Sequence, residues 1–207
     1  MKIEFITGSM FSGKSREIID FLTQCEKEEK KVLKLKPVAD TRDLLTIKSR
    51  DREKTFSCMG IAQVTNPITG ELYDLFPSLE KSELENYDAI VIDEAQFLTP
   101  EGMKFLIDLS KDSELPLIIS GLTRDFRGEV FPSIRLLLET YGEEVMVYEL
   151  RANCFSCGEE NAVHSCRVKN NEIVLDGAVK EIGDSESYIA LCTDCLSKKV
   201  KLERKGE

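Results

Sequence analysis

Eight residues near the amino terminus combine the groups needed to hold a polyphosphate: Gly8, Ser9, Met10, Phe11, Ser12, Gly13, Lys14 and Ser15. In the pattern G-x-x-x-x-G-K-S the two glycines let the backbone curl, so that successive N–H groups turn inward toward an anion. Lys14 would reach the terminal phosphates, and the Ser15 hydroxyl would hold a magnesium ion. A glycine turn capping a helix is the plainer reading, but it requires neither the lysine nor the second glycine. A second acidic half of the site follows at residues 88–97, DAIVIDEAQF, an apolar run that ends in Asp93 and Glu94. Asp93 suits the magnesium ion, whereas Glu94 suits the removal of a proton from an attacking hydroxyl. Ala95 and Gln96 extend this half of the nucleotide site. The single histidine, His164, lies far along the chain among cysteines, which leaves Glu94 as the candidate base.

Four further residues have metal-ligand spacing. Cys154-x-x-Cys157 and Cys192-x-x-Cys195 are two knuckles separated by 34 residues, enough to give one tetrahedral ion four thiolates. A four-sulfur site has no open position, so the zinc it would hold shapes the chain and does no chemistry. A redox pair or plain buried thiols are the competing readings. The interval is long, so a loop over about residues 176–190 is expected to project from the clamp and to close over a ligand. Cys25, Cys58 and Cys166 have no partner at ligand spacing and read as small apolar fillers.

The elements that must position these groups follow from the apolar runs. Strands are expected over 2–7, 32–36, 88–93, 117–120 and 145–148, with a further one at 61–64, and helices over 14–28, 100–109 and 132–141. Strands nearly continuous in Ile, Val and Leu, separated by helices, indicate an α/β fold with a mostly parallel sheet covered on both faces. Ligands in such sheets sit beyond the carboxyl ends of the strands, where residues 8–15 fall. Residues 41–54 are polar and without period, and read as a mobile loop. After Leu150 the character changes to cysteines and short polar pieces. The expected division is therefore a P-loop nucleotide-binding domain over 1–150, a small zinc-ribbon and flap domain over 151–196, and a charged, frayed tail over 197–207.

Composition narrows the partners. With 28 Lys and Arg against 38 Asp and Glu, the chain carries a formal charge of −10, which argues against a sequence-independent grip on nucleic acid. No apolar run approaches the length of a membrane span, and the first ten residues read as a strand and not as a signal peptide. Seven cysteines, an odd number, without an export signal speak against a disulfide framework and for the cytoplasm.

These features leave open an ATPase and a kinase, which differ in whether the attacking oxygen belongs to water or to a bound acceptor. Phe97 and the stretch 121–131, GLTRDFRGEVF, come off strand ends bordering the crevice. Their aromatics either enclose a flat ring or pack helices. A non-catalytic nucleotide-binding zinc protein is a third reading, against which Glu94 stands.

The chain resembles the zinc-containing, P-loop thymidine kinase family over essentially its whole length, to about Leu196. The resemblance rests on GSMFSGKS at 8–15, KPVADTRD at 36–43, VIDEAQF at 91–97, GLTRDFRGEVF at 121–131, CFSC at 154–157 and EIGDSESYIALCTDC at 181–195. It implies a RecA-like P-loop fold and transfer of the γ-phosphoryl group of ATP, with magnesium, to the 5′-hydroxyl of thymidine, deoxyuridine being the near alternative. By the same resemblance Glu94 is the base, and Lys14, Ser15 and Asp93 are the phosphate and metal residues. Asp40 and Arg42 would lie near the 5′-oxygen, and Gln96 would contact the sugar. Met10, Phe97, Leu122, Phe126, Phe131 and Tyr188 would wall the thymine ring. The segment Val179, Lys180, Glu181, Ile182 and Gly183 would read the base edge through its main chain. Thr123, Arg124, Asn153 and Asp184 depart from the family's usual residues, which bears on fine specificity. The resemblance further implies a homotetramer inhibited by thymidine triphosphate.

Overall fold

The structure, a computed structural model, describes all residues except 1, 39–44, 79–80, 171, 178, 180–186 and 204–207. In chain order the elements are β1 (Ile3–Gly8), α1 (Lys14–Lys27), β2 (Val32–Pro37), β3 (Thr46–Ile47), β4 (Phe56–Ser57), β5 (Met59–Thr65), β6 (Leu72–Leu75), α2 (Lys81–Leu84) and β7 (Ala89–Ile92). A single 3-10 turn (Ala95–Phe97) precedes α3 (Pro100–Ser113), β8 (Leu117–Ser120), α4 (Pro132–Tyr141) and β9 (Val145–Leu150). The last third holds β10 (His164–Lys169), β11 (Glu172–Val174), β12 (Ser187–Leu191) and α5 (Thr193–Glu203).

Seven strands form one sheet in the order β6-β5-β2-β7-β8-β1-β9, parallel except at the β5–β6 hairpin. The α/β class read from the apolar runs is the fold observed. Period-two alternation divides the central strands between two cores. Ile3, Phe5, Leu33, Leu35, Ile90, Ile92, Leu117 and Ile119 face α3 and α4, meeting Met103, Leu106, Ile107, Ile134 and Leu137. Ile6, Val32, Val91 and Ile118 face the other way, onto Ile18, Ile19, Leu22 and Cys25 of α1. Both faces are dry, which is why these strands lack polar alternation. A separate three-stranded sheet, β11-β10-β12, carries a small cluster of its own.

Several elements differ from the sequence expectation. β6 pairs with β5 although its side chains are mostly exposed, so no buried apolar stripe announced it. The stretch read as a loop over 41–54 contains β3, paired with β4, and its Ile47 is fully buried. The charges there find partners on α1: Arg52 makes two hydrogen bonds to Asp20, at 3.0 and 2.8 Å, and Lys54 pairs with Glu26. α3 runs on to Ser113 because the buried Ser110 hydroxyl donates to the Leu115 carbonyl, drawing the next turn into the helix before Glu114 ends it with φ of 56°. Residues 187–191 of the expected flap are strand, and residues 197–203 of the expected frayed tail continue α5. Asp93 lies just past β7 and not within it.

Truncating Leu106, which has no exposure, to alanine should cost about 2–5 kcal/mol of stability. The same change at Ile68, 92% exposed, should stay within about 0.5 kcal/mol, both read by urea unfolding.

Candidate active site

The phosphate loop is an abrupt exit from β1. Gly8, with φ of 143°, lies so close to β9 that a Cβ would sit 2.2 Å from the Leu150 carbonyl oxygen, and Gly13 starts α1 from a left-handed φ of 91°. Phe11 is left-handed too, at φ of 68°, a conformation that strains a residue with a side chain. The Phe11 ring is half exposed beneath the Arg50 guanidinium, 4.7 Å from its centroid. Lys14 folds over the loop and donates to the carbonyls of Gly8, at 3.1 Å, and Ser9, at 2.8 Å. Burial lowers the Lys14 pKa, and the charges of Glu94 and Asp93 pull it back up. The lysine and both carboxylates therefore share one crevice. They come from strands that are not neighbours, because β8 lies between β1 and β7; the phosphate loop and acidic pair converge across that intervening strand.

Asp93 is 4% exposed, and burial, followed by the neighbouring Glu94 charge, pushes its pKa up to about 6. Its Oδ1 accepts the Glu94 N–H at 3.0 Å. Glu94 takes a left-handed backbone, φ 56°, which turns the chain from β7 into the 3-10 turn. Gln96, 3% exposed, is spent on the site's own framework: its amide nitrogen donates to Glu94 Oε2 at 2.5 Å, and its Oε1 accepts the Leu122 N–H at 3.1 Å. Ser133 at the start of α4 donates to the carbonyls of Ala95 and Gln96, each at 3.3 Å. The turn below is pinned by Asp74, whose Oδ2 accepts from both the N–H and the hydroxyl of Thr99.

The expected aromatic wall is divided. Phe97 meets Phe131 edge-on, with centroids 6.1 Å apart, and Phe131 belongs to the main core. Phe126, Tyr188 and Val179 instead gather around Arg167, a β10 residue only 1% exposed. Its guanidinium carbon lies 3.9 Å from the Phe126 centroid, and it donates to the Tyr188 hydroxyl at 3.2 Å and the Val179 carbonyl at 3.5 Å. Sequence reasoning passed over Arg167, because nothing in the mixed stretch His164–Lys169 sets it apart from the neighbouring Lys169. Met10 reaches β10 as well, its N–H donating to Ser165 Oγ at 2.8 Å. Asp40, Arg42, Lys180, Glu181, Ile182 and Gly183 lie outside the described residues.

The four knuckle cysteines converge, with all four sulfurs within 4.8 Å of one another. A tetrahedral zinc with bonds of about 2.3 Å needs sulfurs about 3.8 Å apart, so the donor set fits. Backbone N–H groups point at the sulfurs, Cys192 N to Cys154 Sγ and Cys195 N to Cys192 Sγ, each at 3.4 Å. Burial raises the Cys154 pKa, but the N–H groups of Cys192, Cys157 and Ser156 outweigh it and bring the thiol down to about 6. Cys195 is driven up to about 12, first by its neighbour Cys192, as expected of clustered thiols that need a cation to ionise together. Cys25 is buried and Cys58 half-buried against α1 and the large sheet, whereas Cys166 is buried beside Cys154 and Cys192 without joining the four sulfurs.

Comparison with known proteins settles the family. The thymidine kinase family profile matches residues 1–196. This chain belongs to the thymidine kinase family. It is 31% identical over 194 residues to the thymidine kinase of Legionella pneumophila strain Lens, covering 92% of this chain and 87% of that one. The strain Paris thymidine kinase matches at 31% over 195 residues, with the same coverage. An overlay on Bacteroides Pif1 bound to ssDNA spans 72% of this chain and 38% of that one, at 14% identity and a TM-score of 0.41, too loose to inform function. No helix among the described residues is long and apolar enough to cross a membrane.

The raised Asp93 pKa has a definite stability sign. The folded state binds this proton more tightly than the unfolded chain, so the contribution is fully present below about pH 4 and is lost as pH rises through 6. Asp93→Asn should therefore raise the melting temperature of ligand-free protein at pH 8, with the gain shrinking toward pH 4.5. Metal analysis should find one zinc per chain in the parent protein and none in Cys157→Ser.

Proposed function

We propose that this chain transfers the γ-phosphoryl group of ATP to the 5′-hydroxyl of thymidine, giving thymidine monophosphate and ADP, and that deoxyuridine is accepted too. The observation that carries the reading is the position of Glu94: half-buried, beside Asp93, its charge felt by Lys14 across the crevice, and its carboxylate held by Gln96. A base at that place has work only if a hydroxyl other than the protein's own is brought to it.

In this reading the backbone N–H groups of residues 8–15 and the Lys14 ammonium hold the β- and γ-phosphates, Lys14 leaving the loop carbonyls it now contacts. Ser15 and Asp93 would hold the magnesium ion that comes with ATP, whose charge would offset that of the phosphates. Glu94 orients the 5′-hydroxyl and takes its proton as the new P–O bond forms and the bond to ADP breaks. Gln96 fixes which way the Glu94 carboxylate points, a positioning part alongside the sugar contact that the family resemblance implies. Arg167 holds Phe126 and Tyr188 at a fixed separation, and so sets the width of the slot for a pyrimidine ring. The main chain beyond Val179 would read the base edge, where unpaired donors are costly and reject a wrong base. The cysteine cluster would hold zinc as a structural brace for this wall.

The remaining parts of the reading are cytoplasmic residence, a homotetramer, and inhibition by thymidine triphosphate. Self-association has physical support in β9, an edge strand on which Met146, Val147 and Tyr148 are 41–49% exposed.

A nucleoside panel with magnesium-ATP, read by product formation, tests the reading: thymidine and deoxyuridine should be phosphorylated, purine nucleosides should not, and ADP release should require the nucleoside. Glu94→Gln should lower kcat by about two to four orders of magnitude with ATP affinity nearly kept. Near-parental turnover in that variant would remove Glu94 from the chemistry.

A further inference from the structure

The phosphate loop does not stand on the large sheet alone. Its first half is bonded to the cysteine-bearing module from more than 150 positions away in sequence. Ser9 Oγ donates to the Ala162 carbonyl at 3.2 Å, and the Met10 N–H donates to Ser165 Oγ at 2.8 Å. Ser9 is 2% exposed, Ser165 8%, and Ala162 not at all, so water cannot readily replace either bond. Ala162 and Ser165 flank the start of β10, and Ala162 is bridged to Ala152, two residues before the first knuckle cysteine. On the other side, Val163 and Ser165 are registered against β12, which runs directly into Cys192. The two knuckles thus hold both ends of the surface that receives the loop.

The residue immediately after Met10 is the strained Phe11. A left-handed side-chain-bearing residue persists only where its surroundings over-determine it. Within the loop the Ser9 carbonyl accepts from the Ser12 N–H, at a long 3.3 Å, and from Lys14 Nζ at 2.8 Å, and Lys14 Nζ also donates to the Gly8 carbonyl at 3.1 Å. The bond to Ser165 comes from outside the loop and holds the N–H side of the Ser9–Met10 peptide, one residue before Phe11.

We propose that Ser165 is a positioning residue for nucleotide binding: through its hydroxyl the metal-held module sets the shape of the phosphate loop, so that metal occupancy is felt at the ATP site as well as at the nucleoside wall. The proposal rests on residues 8–15 being a phosphate loop, and its first test does not require them to be one.

That test is amide-resolved hydrogen exchange on the full-length protein. In Ser165→Ala the Met10 amide should exchange about 10-fold faster or more, since a nearly buried donor loses its acceptor. The β8 amides and the zinc content should be unchanged, and Ser165→Thr, which keeps the hydroxyl, should restore protection. An unchanged Met10 amide in Ser165→Ala, or a threonine variant that behaves like the alanine one, overturns the proposal. If the alanine variant does not fold, zinc chelation of the parent protein gives the same reading: Met10 should lose protection while β8 keeps it, and equal protection before and after chelation overturns the coupling. The second arm is calorimetric titration with magnesium-ATP, where the Kd of Ser165→Ala should rise about 10-fold while kcat at saturating ATP is kept. A lowered kcat with an unchanged Kd contradicts the assignment. If the parent protein binds no magnesium-ATP, the nucleotide reading fails, and the exchange result alone decides the role of Ser165.

Discussion

The site depends on keeping two adjacent carboxylates in a place with little water. Asp93 is nearly sealed and Glu94 half so, and burial, with the Glu94 charge one residue away, opposes the ionisation of Asp93. Lys36 near the end of β2 favours the ionised Asp93, and Lys14 feels the charge of both carboxylates. Without ligand it spends its donors on the carbonyls of its own loop, and the carboxylate at 93 holds its proton up to about pH 6. The arrangement is electrostatically incomplete by construction, and a polyphosphate carrying a divalent cation supplies the charges of both signs that it lacks. An acidic protein can bind ATP in this way without a basic surface: the positive potential is local, made of loop N–H groups, one lysine and the start of α1.

Geometry of the sheet makes that convergence possible. Strands β1 and β7 both end at the same rim, but β8 separates them, so the loop and the acidic pair face each other across the width of one strand. Residues 121–131, leaving the end of β8, border the gap between them. Thr123 Oγ1 is hydrogen-bonded to Thr7 Oγ1 at 2.7 Å, and Leu122 to Gln96, so this stretch is tied to both halves of the site at once. The aromatic residues it carries are placed by those ties. Phe131 is drawn into the core and Phe126 is left to the module beyond β9.

What could be read from the sequence was what is local in the chain. Residues 8–15, the Asp93–Glu94 pair and the two cysteine knuckles each announce themselves within a few positions, because their chemistry demands fixed spacing. Strands β1, β2, β7 and β8 were legible because a strand buried on both faces is apolar at every position. β6 and β10 to β12 were not: they mix polar and apolar residues, and their partners rather than their composition make them strands. Arg167, Ser165 and Asp74 escaped for a related reason. Each acquires its part from a contact across the fold, Ser165 with Met10 being 155 positions apart, and a single serine in a polar segment carries no mark of that. The aromatics at 126 and 131 looked equivalent by spacing. Only packing separated them, one into the core and one beneath a buried guanidinium.

The last third of the chain shows what a metal would contribute to a protein that already has a large core. The cluster under β10, β11 and β12 consists of Ala152, Cys154, Ala162, Cys166, Ile173, Ala190, Leu191 and Cys192, among which only Ile173 and Leu191 are large aliphatic side chains. At about 1.5–3 kcal/mol for each buried large side chain, such a cluster cannot offset the ordering of its own backbone. Four thiolates around one ion would replace that missing apolar area with bonds that form only in the folded arrangement. The same substitution explains the placement of the knuckles at the two ends of β10's neighbourhood. A module with so small a core would owe its rigidity to the ion, and its two hydrogen bonds with the phosphate loop, at Ala162 and Ser165, leave from the segment between the two knuckles.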